Sequence, residues 1–274
     1  MRIDAHQHFW AVSRGDYNWL NESLAPVYRD FTPADLMPLL ANAGVDKTVI
    51  VQAAPTINET EYLLGIADAT AFVGKVVGWI NFEADDHRHH LERFAAHKKF
   101  AGVRPMVQDI PDPEWMHRAD VAWAFDAIRD LDLTVDALGY PIHAAPFLRL
   151  CEKYPDMRVV IDHCLKPQIR DNAFDDWAEG IARIADETGA YCKLSGLVTE
   201  SSTDWTAEDL RPYAAHVIES FGPDRVMWGS DWPVVNLVSD YESWHAIAID
   251  FVPDPADREK VFGETAARFY RIIA

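Results

Sequence analysis

The chain is short of positive charge: 25 lysines and arginines face 44 aspartates and glutamates, for a formal net charge of -19 over 274 residues. Nucleic-acid binding needs basic surface to displace counterions, so that class of partner is excluded. An anionic membrane surface is disfavoured on the same ground, and the acidity is read as a solubility feature. Long apolar runs are also missing. No stretch approaches the ~18 residues of a membrane span. The start, Met1 to His6, runs straight into patterned sequence with no apolar leader core. Cysteine is scarce: Cys151, Cys164 and Cys192 have no metal-type spacing and form no even set. They read as reduced thiols of a cytoplasmic protein. A glycine-rich loop after the first strand-like run is absent, which counts against a dinucleotide-binding fold.

What is present is alternation. Short β-branched runs fall at Ile3 to His8, Lys47 to Ala53, Gly74 to Phe82, Phe100 to Val107, Leu133 to Gly139, Arg158 to His163, Ala190 to Ser195 and Arg225 to Asp231. Amphipathic segments separate them: Thr32 to Gly44, Asn58 to Ala71, His87 to His97, Asp120 to Leu131, Pro146 to Tyr154, Ala173 to Thr188, Ala207 to Phe221 and Tyr241 to Phe251, with Pro255 to Tyr270 last. Strands alternating with helices specify βαβ units and a parallel sheet. Eight such units in a chain near the ~250 residues of a typical barrel predict a (β/α)8 TIM barrel. No linker interrupts the pattern, so residues 1–274 are read as one domain. The longest irregular stretches, Phe9 to Phe31 and Gln108 to Arg118, follow strand C-terminal ends, where barrel enzymes build their sites.

The candidate chemistry sits at those ends. His6 and His8 are two apart on the first strand and therefore share a face, with Asp4 expected one layer deeper. Two imidazoles facing one way suit either a divalent metal or a pair of donors to a carbonyl oxygen. Asp231 ends the eighth strand, which a closed barrel sets beside the first; its bland reading is a helix cap. His163 ends the sixth strand, where a core histidine is the plainer alternative, and Asp162 beside it is expected to point outward. Arg104 and Lys193 lie within apolar strands, where an unpaired charge is expensive. Each is either half of an ion pair inside the barrel or an anchor for polar substrate oxygens. Asn81, Tyr140 and His143 lie at or just after strand ends, and Trp10, Trp19 and Trp232 supply aromatic walls; all six are candidate substrate contacts. The histidines at 87, 89 and 90 read as a solvated helix face.

These residues lie in a pattern that resembles the amidohydrolase-related proteins of the fuconolactonase and rhamnonolactonase type, a branch that also includes pyrone-dicarboxylate lactonases. The likeness runs from Asp4–Trp10 through Gly102-Val103-Arg104, Gln108–Trp115, Asp162-His163 with Lys166-Pro167, and Tyr191–Thr199, to Phe221–Pro233 and Ala266–Tyr270. It implies an amidohydrolase-type barrel that opens a small sugar lactone to its hydroxy acid. It implies Asp231 as general base and His6, His8 and His163 around the scissile carbonyl. The resemblance favours chemistry without a required cofactor. The alternative is one divalent metal, zinc first, on His6, His8, His163 and Asp231; no lysine ends the fourth strand to bridge two. Two departures stand out. Pro105 follows Arg104 where relatives carry a polar residue, and Thr265 replaces the usual asparagine at a position expected to cap a helix.

A zinc-dependent decarboxylase of the aminocarboxymuconate type is the main rival, since it shares the paired histidines, the later histidine and the strand-eight aspartate. A sugar-binding barrel without turnover is the second. The expected partner is a small-molecule sugar lactone, and the sequence leaves open a homo-oligomer.

Overall fold

The β-branched runs become eight strands because each has one face for the barrel interior and one for the surrounding helices. In a computed structural model, which describes residues 1–273, the strands are β1 Ile3–Gln7, β2 Lys47–Val51, β3 Val73–Gly78, β4 Phe100–Val103, β5 Thr134–Ala137, β6 Arg158–Ile161, β7 Tyr191–Leu194 and β8 Val226–Trp228. They pair in parallel in the order β1 to β8. Closure comes one turn past β8, where Gln7 bridges Trp232; Asp231 N donates to His6 O at 2.8 Å and His8 N to Trp232 O at 2.7 Å. The chain is a (β/α)8 barrel, as the alternation predicts.

The crossover helices are α1 Pro33–Ala43, α2 Ile57–Ala69, α3 Arg88–Ala95, α4 Ala122–Asp130, α5 Ala144–Lys153, α6 Asp175–Glu187, α7 Ala207–Phe221 and α8 Tyr241–Asp250. The first turn of α1 shows the sequence logic: Thr32 and Asp35 form a capping box and Pro33 takes the first helical position. Among the described residues no helix is long and apolar enough to cross a membrane.

Two layers of core result. Helices pack on the strands' outer faces, while Ile3, Ala5, Val49, Val51, Val77, Ala101, Val160 and Met227 fill the interior with Phe269 and Tyr270 of the last helix. That helix, α9 Pro255–Glu259 continued by α10 Thr265–Tyr270, passes through a π-helical turn at Lys260–Glu264. The turn sits where Gly263 meets the N-terminus, so closely that a Cβ there would lie 2.1 Å from the Met1 carbonyl oxygen. Thr265 lies within this helical run rather than capping a helix: it is buried and its hydroxyl donates to Pro223 O at 3.0 Å.

Observed strands stop short of their expected ends. Hydrophobic runs continue into the loops because the loops are buried over the barrel mouth, and the key side chains sit just past the last paired residue.

Candidate active site

His8, Ala53, Arg104, His163 and Asp231 follow β1, β2, β4, β6 and β8, so they converge on one rim. At its centre is one oxygen of Asp231. It lies 3.2 Å from His8 Nε2, 3.7 Å from His6 Nε2 and 4.0 Å from His163 Nε2. The two N-terminal imidazoles face each other through their Nε2 atoms at 3.2 Å. The cavity above them holds about 210 Å3 and is lined by His8, Trp19, Arg104, Gln108, Lys166 and Asp231, among others. That is below the ~300–1,000 Å3 of drug-sized ligand sites and suits one small ring. A larger cleft of about 500 Å3 lies beside it and shares Met106 and Asp109. It contains none of the imidazoles, so the smaller cavity is the candidate reaction site.

Below the rim lies a buried charge network. Lys193 is wholly buried, 2.5 Å from Asp136 and 2.9 Å from Asp162, and its ammonium reaches His6 Nδ1 at 3.1 Å. Arg104 approaches Asp162 at 3.5 Å and His6 Nε2 at 3.3 Å. Tyr270 from the last helix donates to Asp136 at 2.7 Å. Burial, and then the neighbouring Lys193 cation, hold His6 far below the ordinary imidazole range. Burial also takes His163 down to about 4, against the pull of Asp231. Burial alone would raise the Asp231 carboxyl, but the surrounding imidazoles, His163 first, keep it below the ordinary carboxylate range. At neutral pH the centre is therefore an ionised carboxylate beside two rings, His6 and His163, that resist protonation.

The local fold explains how these groups arrive. The register of β1 shifts between Asp4 and Gln7. Ala5 therefore joins the interior, and Asp4 sits at the seam with β8, accepting from His6 N and Ser230 N at 3.1 and 2.9 Å, rather than lying one layer beneath His6. On β6 the alternation sends Val160 and Asp162 inward, which corrects the outward direction expected of Asp162; it is fully buried beside Lys193. His163 would then face outward, but His163, Cys164, Leu165 and Lys166 all take left-handed backbone, φ 51°, 52°, 62° and 47°. This turn swings both the imidazole and Lys166 over the barrel mouth.

Other candidates from the sequence are distributed more widely. Trp19 walls the cavity, with its indole N–H on Ala53 O at 2.8 Å. Asn81 lines the neighbouring cleft. Tyr140 is exposed near the rim, where Lys166 Nζ stands 5.4 Å above its ring. His143 is buried and accepts from Tyr140 N at 2.9 Å. Trp10 is wholly buried with its indole N–H on Arg29 O, and Trp232 packs edge-on to Phe31. Neither of these last two, nor Lys193, lines the cavity. Sequence reasoning passed over Met106, Gln108, Leu138, Lys166 and Val234 as lining residues. A signal existed for Lys166, a cation three residues past His163, and for Gln108, in the loop after β4.

The donor set suits a divalent cation. His6, His163 and Asp231 offer ligand atoms within 4.8 Å of one another. His8 adds a sharper sign. Its Nδ1 lies 2.7 Å from Val51 O, which can only accept, so the ring's Nε2 turns a lone pair toward the Asp231 oxygen at 3.2 Å. Two acceptors at that distance call for a proton or a cation between them.

Comparison with known proteins agrees with this geometry. The family model described as "Amidohydrolase" matches residues 3–272. An L-fucono-1,5-lactonase of Burkholderia ambifaria is 42% identical over 277 residues, covering 99% of this chain and 96% of the relative. An L-fucono-1,5-lactonase of Burkholderia multivorans is 31% identical over 288 residues, with 99% and 96% covered. A crystal structure of a Burkholderia multivorans amidohydrolase with bound zinc superposes with a TM-score of 0.93 at 31% identity, covering 100% of both chains. Histidines and an aspartate gathered at the strand ends of a (β/α)8 barrel, over a chain matched from its third residue to nearly its last, make this protein a member of the amidohydrolase family.

Proposed function

We propose that the chain opens a small sugar lactone to its hydroxy acid, with L-fucono-1,5-lactone as the first substrate to test. The observation that carries this reading is the Asp231 oxygen set 3.2–4.0 Å from three imidazoles on the floor of a one-ring cavity. The lactonase names of the two relatives support the substrate class.

In this reading Asp231 takes a proton from water as the water oxygen attacks the lactone carbonyl carbon. The Arg104 guanidinium and the Nε2–H groups of His6 and His163 donate to the carbonyl oxygen as it gains negative charge, while the His8 N–H stays on Val51 O. The bond from the carbonyl carbon to the ring oxygen then breaks, and that oxygen leaves as an alcohol carrying the proton held by Asp231. Trp19 packs against the sugar face, and Lys166 and Gln108 meet its hydroxyls. Lys193 lies too deep to touch substrate and acts through His6. A divalent cation on His6, His163 and Asp231, with His8 beside them, would supply Lewis acidity and lower the pKa of a bound water. An activated ester needs little such help, so turnover without a required metal remains the proposal.

The test is a pH-indicator assay of L-fucono-, L-rhamnono- and L-galactono-lactones, run before and after chelation with elemental analysis of each sample. Acid release from at least one lactone, persisting in the metal-free sample, is the expected result. Silence across the panel would refute the lactonase reading, and loss on chelation reversed by zinc would refute metal independence.

A further inference from the structure

Glu59 is a carboxylate with no part in the chemistry above, yet it is wholly buried. It stands at the third position of α2, where Thr56 caps the helix by accepting from Glu59 N at 3.0 Å. A glutamate there commonly reaches back to the capping residue's own N–H. In this chain Thr56 N is instead satisfied by Ala54 O, and the carboxylate turns to the segment that leaves β2. One oxygen accepts from Ala53 N at 3.0 Å and the other from Ala54 N.

That segment holds the site. Three successive carbonyls at the end of β2 each take a donor from a different wall of the cavity. Val51 O receives His8 Nδ1 at 2.7 Å. Gln52 O receives the Arg104 guanidinium, and the Gln52 side chain returns a bond to Arg104 O at 2.9 Å. Ala53 O receives the Trp19 indole N–H at 2.8 Å. Trp19 comes from the irregular stretch after β1, Arg104 from the end of β4, and His8 from the end of β1, so these three carbonyls tie separate elements together.

We infer that Glu59 is a positioning residue: by clamping the Ala53 and Ala54 amides it fixes the β2 carbonyl row, and through Ala53 above all it sets the Trp19 wall against which substrate packs. Both amides lie beyond the last residue of β2, so in the described structure the carboxylate does for them what a strand partner does elsewhere. Burial pushes the Glu59 carboxyl up to about 8 against the pull of the two amides, and in either protonation state both of its oxygens can accept an N–H. Glutamine fits the same space but offers one oxygen, and its NH2 would face the second amide donor to donor.

The inference rests on the lactonase reading for its kinetic readout. E59Q is expected to raise KM for the lactone three- to tenfold while kcat stays within threefold. W19F, which keeps an aromatic ring but removes the indole N–H, is expected to raise KM similarly. Added to W19F, E59Q should change KM by no more than twofold further, since both act through one carbonyl. Effects that multiply, or an unchanged KM in E59Q, would overturn the inference. Hydrogen exchange of wild-type peptides covering Ala53 and Ala54 decides the matter even where E59Q fails to fold: protection of both amides by ~10²-fold or more supports the clamp, and free-peptide rates contradict it. A wild-type protein inactive on every lactone refutes the lactonase reading instead, and the exchange result still judges the clamp.

Discussion

Lys193 takes the first of the two alternatives that the sequence offered, the ion pair inside the barrel, and does not line the cavity. It forms an ion pair inside the barrel, to Asp136 and Asp162, and it also serves the site, through His6 Nδ1. Removing the cation would leave two buried carboxylates without their shared partner, a loss that costs about 3–5 kcal/mol when one side of a buried pair is deleted. K193M is therefore expected to lower unfolding stability by that amount in urea titration, with the β-sheet signal intact in water. A loss below about 1 kcal/mol would mean that Arg104 alone balances the network. At this scale the sequence is legible where side chains follow strand periodicity and hidden where they do not. Lys193 in an apolar run announced a buried charge. Nothing announced Asp162 as its partner, because the inward direction of that residue depends on where β6 ends.

The turn after β6 carries that lesson to the level of elements. Four consecutive non-glycine residues in left-handed backbone are costly, at about 1–2 kcal/mol each, so no propensity rule selects such a turn from the letters His163 to Lys166. Its support lies beside it, at Gly196 just past the neighbouring strand β7. That glycine has φ +69°, and a Cβ there would stand 2.7 Å from the His163 Cβ and 2.8 Å from its Nδ1. G196A is expected to destabilise the fold by about 1–3 kcal/mol and to reduce lactone turnover at least tenfold, because the methyl group occupies the imidazole's place. Near-wild-type kinetics would show that the His163 ring is not held where the mechanism uses it. By contrast, the eight strand–helix units were plain in the sequence. Their signals are local: β-branched runs, the Thr32–Pro33 start and the Gly44 stop.

Across the whole molecule, closure of β1 onto the end of β8 turns residues 6, 8 and 231 into one centre, a consequence of barrel topology that two short motifs foreshadowed. Buried histidines at both ends of the barrel contribute to the pH response of stability, and His245 is the one clear of the site. His245 on α8 is buried, its ring 4.9 Å from that of Trp228 and 5.7 Å from that of Phe262. Burial, and then Arg2, bring its folded-state pKa to about 4. An unfolded histidine titrates near 6.5, so between pH 6.5 and 4 the unfolded state binds more protons. The His245 contribution to stability therefore falls as pH drops through that window and is constant below it. Wild-type protein is expected to lose up to about 3 kcal/mol more than H245L between pH 7 and pH 4; parallel denaturation curves for the two would contradict this. The central claim concerns the opposite end of the barrel and has one direct measurement: steady-state hydrolysis of L-fucono-1,5-lactone by wild type and D231N, with melting temperatures alongside. The account predicts a fall in kcat of ~10²-fold or more in a variant that still folds, whereas a folded D231N within threefold of wild type would contradict it.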